Sequence, residues 1–92
     1  MTNKNFKLTK NIAWQIEPVN DYAYIYNIAK QNFVILEDVA KDIWMLIVNS
    51  KGFTDIINTI SLDYSIPVEQ SNQDVREILD SLIAEGVILP DE

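Results

Sequence analysis

The sequence predicts an α+β fold: a three-stranded antiparallel meander followed by three helices, with the outline of a winged helix-turn-helix. Three observations predict it. Apolar residues alternate with period two in "IAWQIEP" and "YAYIYNI", run together in the short stretch "FVIL", and then recur at three- and four-residue spacing from Val39 to Ile83. The change of period falls inside "NFVILEDVAKDIW" (residues 32–44), where neither glycine nor proline separates strand from helix. Strands that come first and helices that come after favour a sheet covered on one face by helices rather than alternating strand-helix units. With 92 residues, 48% of them apolar, the chain can bury one modest core, so one domain is expected over residues 11–92, preceded by a flexible polar segment at residues 1–10.

The first strand is "IAWQIEP". Ile12, Trp14 and Ile16 alternate with Ala13, Gln15 and Glu17, and Pro18 stops the run. "VND" supplies turn chemistry, and "YAYIYNI" alternates again, placing Tyr22, Tyr24 and Tyr26 opposite Ala23, Ile25 and Asn27. "AKQN" leads into the third strand, "FVIL", and connections this short make neighbouring strands antiparallel. Glu37 and Asp38 offer a polar cap and first-turn negative charge to a helix whose buried stripe is Val39, Ala40, Ile43, Trp44, Ile47 and Val48. Gly52 is the expected C-terminal stop. A second helix starts at Thr54 and Asp55 and buries Ile56, Ile57, Ile60 and Tyr64. After a loop pinned by Pro67, a third runs from Ser71 to Glu85 with Val75, Ile78, Leu79, Leu82 and Ile83 as its apolar face and Gly86 as its end. "VIL" before Pro90 is expected only to pack back on the body.

Composition excludes several functions. Without cysteine there are no disulfides or thiolate metal sites, and without histidine the usual near-neutral base and metal ligand are missing. Only Gly52 and Gly86 occur, so no glycine-rich phosphate loop exists, and neither catalysis nor a cofactor is expected. The longest helical apolar stretch, "IWMLIV", is too short to span a bilayer, so a cytoplasmic protein without a membrane partner is expected. The first 36 residues set Lys4, Lys7, Lys10 and Lys30 against Glu17 and Asp21, a balance of +2; with −7 overall, residues 37–92 carry −9. Such a surface repels phosphate backbones. Near-neighbour carboxylates such as Asp38 and Asp42 read as a solvated helix face, and the tyrosine row reads as sheet packing ahead of a stacking platform.

Three stretches in register, "ILEDVAKDIWMLI", "FTDIINTISLDYSI" and "DVREILDSLIAEGVI", resemble the PqqD-like family, small domains known as RiPP recognition elements. The resemblance runs from Val34 to Leu89 and rests on Ala40, Ile43 and Trp44 in the first helix, Tyr64 closing the second, and Asp74, Val75, Leu79, Leu82 and Gly86 in the third. Glu37 stands where the family usually has asparagine, and "VNSKGF" is longer than the family's usual glycine turn.

The resemblance implies a non-catalytic adaptor that binds the leader segment of a ribosomally made precursor peptide and hands it to a separate modifying enzyme. It implies that the leader lies along the third strand as a fourth. Backbone contacts would come from Asn32, Phe33, Val34, Ile35 and Leu36. The groove would draw on Val34, Leu36, Val75, Ile78, Leu79 and Leu82, with Arg76 and Asp80 at its rim. About half of the apolar members are expected to be core. The free edge is equally open to a second copy, so a monomer or an edge-strand dimer is expected. The alternative, a winged-helix DNA-binding regulator, would set a third helix bearing Asp74, Glu77, Asp80 and Glu85 against one arginine into a phosphate-lined groove. That charge argues against it, and no nucleic-acid partner is expected.

Overall fold

The structure is a computed structural model that describes residues 4–91. Its elements run β1 (Asn5–Leu8), β2 (Ile12–Glu17), β3 (Tyr22–Asn27), β4 (Asn32–Leu36), α1 (Asp38–Val48), α2 (Phe53–Tyr64), α3 (Val68–Ala84) and β5 (Ile88–Asp91). The predicted meander is present as a sheet of order β2-β3-β4, antiparallel throughout. Its register stacks Trp14, Ile25 and Val34 in one cross-strand row and Ala13, Tyr26 and Phe33 in the next. Alternation then assigns the faces. Ala23, Ile25 and Asn27 are buried beneath the helices, while Tyr22, Tyr24 and Tyr26 lie half-exposed on the other face. The tight connections into β2, β3 and β4 end in left-handed residues, Asn11 (φ 63°), Asp21 (φ 59°) and Gln31 (φ 58°); Asn and Asp adopt that conformation more readily than most residues.

The abrupt strand-to-helix switch is made by one residue. Glu37 keeps extended backbone (φ −136°, ψ 164°), and Asp38 then turns the chain at φ 55° directly into α1. Ile43, Trp44 and Ile47 of α1, Ile56, Ile57 and Ile60 of α2, and Val75, Leu79 and Leu82 of α3 close over Ala23 and Ile25 to form the core. Trp44 meets Trp14 edge to face, with ring centroids 5.8 Å apart.

Five local expectations are corrected. Residues 1–10, expected as a flexible segment, contain β1, which pairs antiparallel with β5 (Phe6 opposite Pro90, Leu8 opposite Ile88); residues 1–3 lie outside the described residues. Likewise "VIL" is mostly strand, with Val87 and Ile88 fully buried. Gly52 does not stop α1 but precedes α2 in extended conformation. The stop is Ser50 at φ 64°, whose N–H and that of Lys51 return to the Ile47 and Leu46 carbonyls. Ser65 (φ 53°) ends α2 in the same way, and Gly86 (φ 78°) ends α3, with Gly86 N–H on Ile83 and Val87 N–H on Leu82. Finally, α3 begins at Val68, straight after Pro67 and before the expected Ser71, because proline's fixed φ suits a helix entrance. Tyr64, expected on a buried face, is exposed.

The end of α3 is tied to the sheet. Buried Asn27 donates through Nδ2 to the carbonyls of Glu85 (3.1 Å) and Gly86 (3.3 Å) and accepts the Lys30 N–H (3.1 Å). The Lys30 ammonium donates to the Ala84 carbonyl, at the negative end of the helix. Any side chain at Gly86 would press on this knot, since a Cβ there would lie 3.1 Å from Asn27 Nδ2.

Candidate functional site

β4 is an edge strand. β3 pairs with it on one side, and no described strand pairs with it on the other. Which of its backbone groups are free follows from antiparallel alternation. The Ile28 N–H donates to the Asn11 carbonyl directly opposite (2.8 Å), so hydrogen-bonded pairs between β2 and β3 recur at Tyr26, Tyr24 and Tyr22. Ala23, Ile25 and Asn27 therefore bond β4, at Leu36, Val34 and Asn32. The N–H and C=O groups of Phe33 and Ile35 point outward.

On the helix side of this edge stand Asn32, Val34 and Leu36. Val75, Leu79 and Leu82 are buried core, with 0%, 3% and 1% exposure, and Leu36 is nearly so, at 9%. Val34 and Ile78, both half-buried, are the expected groove side chains that a ligand can still reach. About half of the apolar set was expected to be internal; rather more of it is.

Arg76 and Asp80 do not flank β4. The Asn32 Nδ2 donates to Glu85 Oε1 (3.1 Å), which fixes the β4-facing side of α3 as the one carrying Asp74, Ile78, Ser81 and Glu85, spaced at four, three and four residues. Arg76 lies on the other side, its guanidinium 5.1 Å from the Phe53 ring centroid and its Nε donating to Asn72 Oδ1 (2.6 Å). Asp80 follows Arg76 by four residues and shares its side. The strand-facing rim is thus acidic where a cation was expected. Arg76→Ala is expected to leave peptide affinity within about twofold while costing about 0.5–1 kcal/mol of stability through the lost ring contact, as a titration paired with a melting curve checks.

Two hollows flank the edge strand. One, of about 340 Å³, gathers Asp21, Tyr22, Glu37, Asp38, Asp42 and Tyr64 beside the Leu36 end of β4. Lys41 bridges it to Asp21 at 3.1 Å, and the Tyr64 hydroxyl donates to Asp42, which with burial pushes the phenol up to about 12. The other, of about 300 Å³, lies against Ala13, Gln15, Tyr24, Tyr26 and Phe33. Among the described residues no group of three or more ligating side chains is arranged to hold a metal ion, and no helix is long and apolar enough to cross a membrane.

The profile of the family described as "Coenzyme PQQ synthesis protein D (PqqD)" matches residues 23–88, which take in β3 after its first residue, β4, all three helices and the first residue of β5. The chain belongs to the PqqD family. Among solved structures, this PqqD-family chain is similar to TbiB1 in complex with the TbiA(beta) leader peptide, with a TM-score of 0.83 and 20% identity over 89% of this chain and 93% of that one. It is also similar to a lasso peptide synthetase B1 complexed with the leader peptide, at a TM-score of 0.83 and 17% identity over 94% and 99% of the two chains. A comparison with curated protein sequences gave no match.

Proposed function

We propose that this PqqD-family chain is a peptide-binding adaptor with no active site of its own. It captures the leader segment of a ribosomally made precursor peptide as a fourth strand on β4 and presents the remainder to a separate modifying enzyme. The observation that carries this reading is the open edge of β4, whose Phe33 and Ile35 backbone groups are free to bond an added strand. The fold it sits in is shared with two proteins solved with leader peptides. Holding the leader would raise the substrate's effective concentration at an enzyme that also holds the adaptor. DNA binding has no comparable support. The exposed surface of α3 presents Glu77 and Asp80 to any approaching phosphate, and its β4-facing side adds Asp74 and Glu85.

An amide-shift titration of the isotope-labelled chain tests this, using the N-terminal half of a short precursor peptide encoded next to its gene. Shifts are expected at residues 32–36 and on the side of α3 marked by Asp74, Ile78, Ser81 and Glu85. Shifts confined to α3 and produced instead by duplex DNA would replace the adaptor with the regulator. The same edge accepts β4 of a second copy, and sedimentation with and without peptide would show peptide dissolving such a dimer.

A further inference from the structure

The sheet face turned away from the helices carries large apolar side chains beside the free edge. Phe33 is 66% exposed and Ile35 53%, and both stand on this face with Tyr24 and Tyr26. They end two cross-strand rows, Ala13–Tyr26–Phe33 and Gln15–Tyr24–Ile35. The Tyr26 and Phe33 rings already touch, with centroids 4.9 Å apart. A third row is polar. Glu17 lies opposite Tyr22, and continuing the register brings Tyr22 opposite Glu37, whose backbone is still extended. The Glu37 carboxylate sits close enough to raise the Tyr22 phenol above its ordinary value.

The residues with free backbone groups and the residues with exposed outer-face side chains are the same two, Phe33 and Ile35. A strand that bonds them antiparallel must place the side chain directly opposite each on that same outer face, about 4.5–5.5 Å away between Cβ atoms. We propose that Phe33, Ile35 and Glu37 are specificity-determining residues that read the bound segment on its outer face, in addition to the groove on the helix side. They select, from N- to C-terminus, a basic residue opposite Glu37, then apolar or aromatic residues two and four positions later, opposite Ile35 and Phe33. This rests on the edge-strand reading of the proposed function. The occupant is the added strand itself, because only it continues all three rows. Glu37 stands two positions beyond Ile35 on this face, and its carboxylate favours a cation as cross-strand neighbour.

The test is display selection of a random peptide library on the immobilised full chain, followed by amide-shift mapping and affinity measurement with one enriched peptide. Enriched peptides are expected to carry the basic-x-apolar-x-apolar pattern and to shift the amides of β4. The double variant Phe33→Thr/Ile35→Thr places β-branched, strand-favouring residues at both exposed positions and, with its fold checked by circular dichroism, is expected to bind about three- to tenfold more weakly and to lose the apolar preference. Glu37→Gln is expected to lose only the basic preference. Peptides that shift the β4 amides yet show no pattern and bind the double variant unchanged would overturn the two-faced reading and leave the edge site standing. Enriched peptides that leave the β4 amides unmoved would overturn the edge site, and this inference with it.

Discussion

Replacing Ile35 by proline is expected to weaken leader-peptide binding by about tenfold or more while the domain keeps its fold. The two halves of this expectation have one cause. Alternation from the Ile28–Asn11 bond leaves the Ile35 N–H unbonded to β3 and facing the open side of β4. Proline is tolerated on edge strands at such a position, and it restricts the preceding residue, Val34, to the extended conformation it already has. An added strand, however, loses the hydrogen bond that this N–H would donate, a net contribution of about 0.5–1.5 kcal/mol, and meets the pyrrolidine ring where its carbonyl should come. Together these reach the ~1.4 kcal/mol that makes a factor of ten in affinity. Val34→Pro is the control: its N–H belongs to the β3 ladder, so that variant should lose stability first. Calorimetric titration and thermal melting of both variants separate the cases. Unchanged binding by Ile35→Pro would remove β4 as the site.

The strand positions of this site were legible from the sequence because a short apolar run between polar neighbours is a local signal. Phe33 to Leu36 form one such run between Asn32 and Glu37, and the turns on either side of β3 hold only a few residues. What was not legible depends on distant parts of the chain. "NFKL" becomes a strand only because "ILPD", at the far end, pairs with it. No turn residue announces such a partner. The helix stops at Ser50 and Ser65 were hidden for another reason: serine is seldom left-handed, and the backbone hydrogen bonds of the C-terminal motif hold it there. The orientation of α3 was least accessible. It is polar on both flanks of its buried stripe, with Asn72, Arg76 and Asp80 on one and Asp74, Ser81 and Glu85 on the other. Periodicity identifies the stripe but cannot say which flank meets β4. The Asn32–Glu85 hydrogen bond and the Phe53–Arg76 contact decide it, and both join residues far apart in sequence.

Trp44→Ala is expected to destabilise the domain by about 3–5 kcal/mol, a large part of the stability on the order of 5–14 kcal/mol that a chain of this length commands. Trp44 is wholly buried, leans edge-on against Trp14 of the sheet, and sits in the helix that touches both the sheet and α3. Its removal leaves a void that α1 cannot close, because Ile43 and Ile47 on either side are themselves packed. Trp44→Phe should behave differently. The indole Nε1 is buried with no hydrogen-bond partner, so part of the tryptophan's contribution is offset by about 1–3 kcal/mol of unrecovered hydration. Phenylalanine removes that donor while keeping most of the ring, and its cost should fall well below that of alanine. Urea unfolding of the three proteins measures the split. Equal losses for the two variants would mean that the buried indole N–H carries no such penalty. Peptide affinity should follow only the folded fraction in both variants, because Trp44 holds together the sheet and helices that bear the Phe33–Ile35 edge and Ile78 but, being wholly buried, has no surface of its own to offer the peptide.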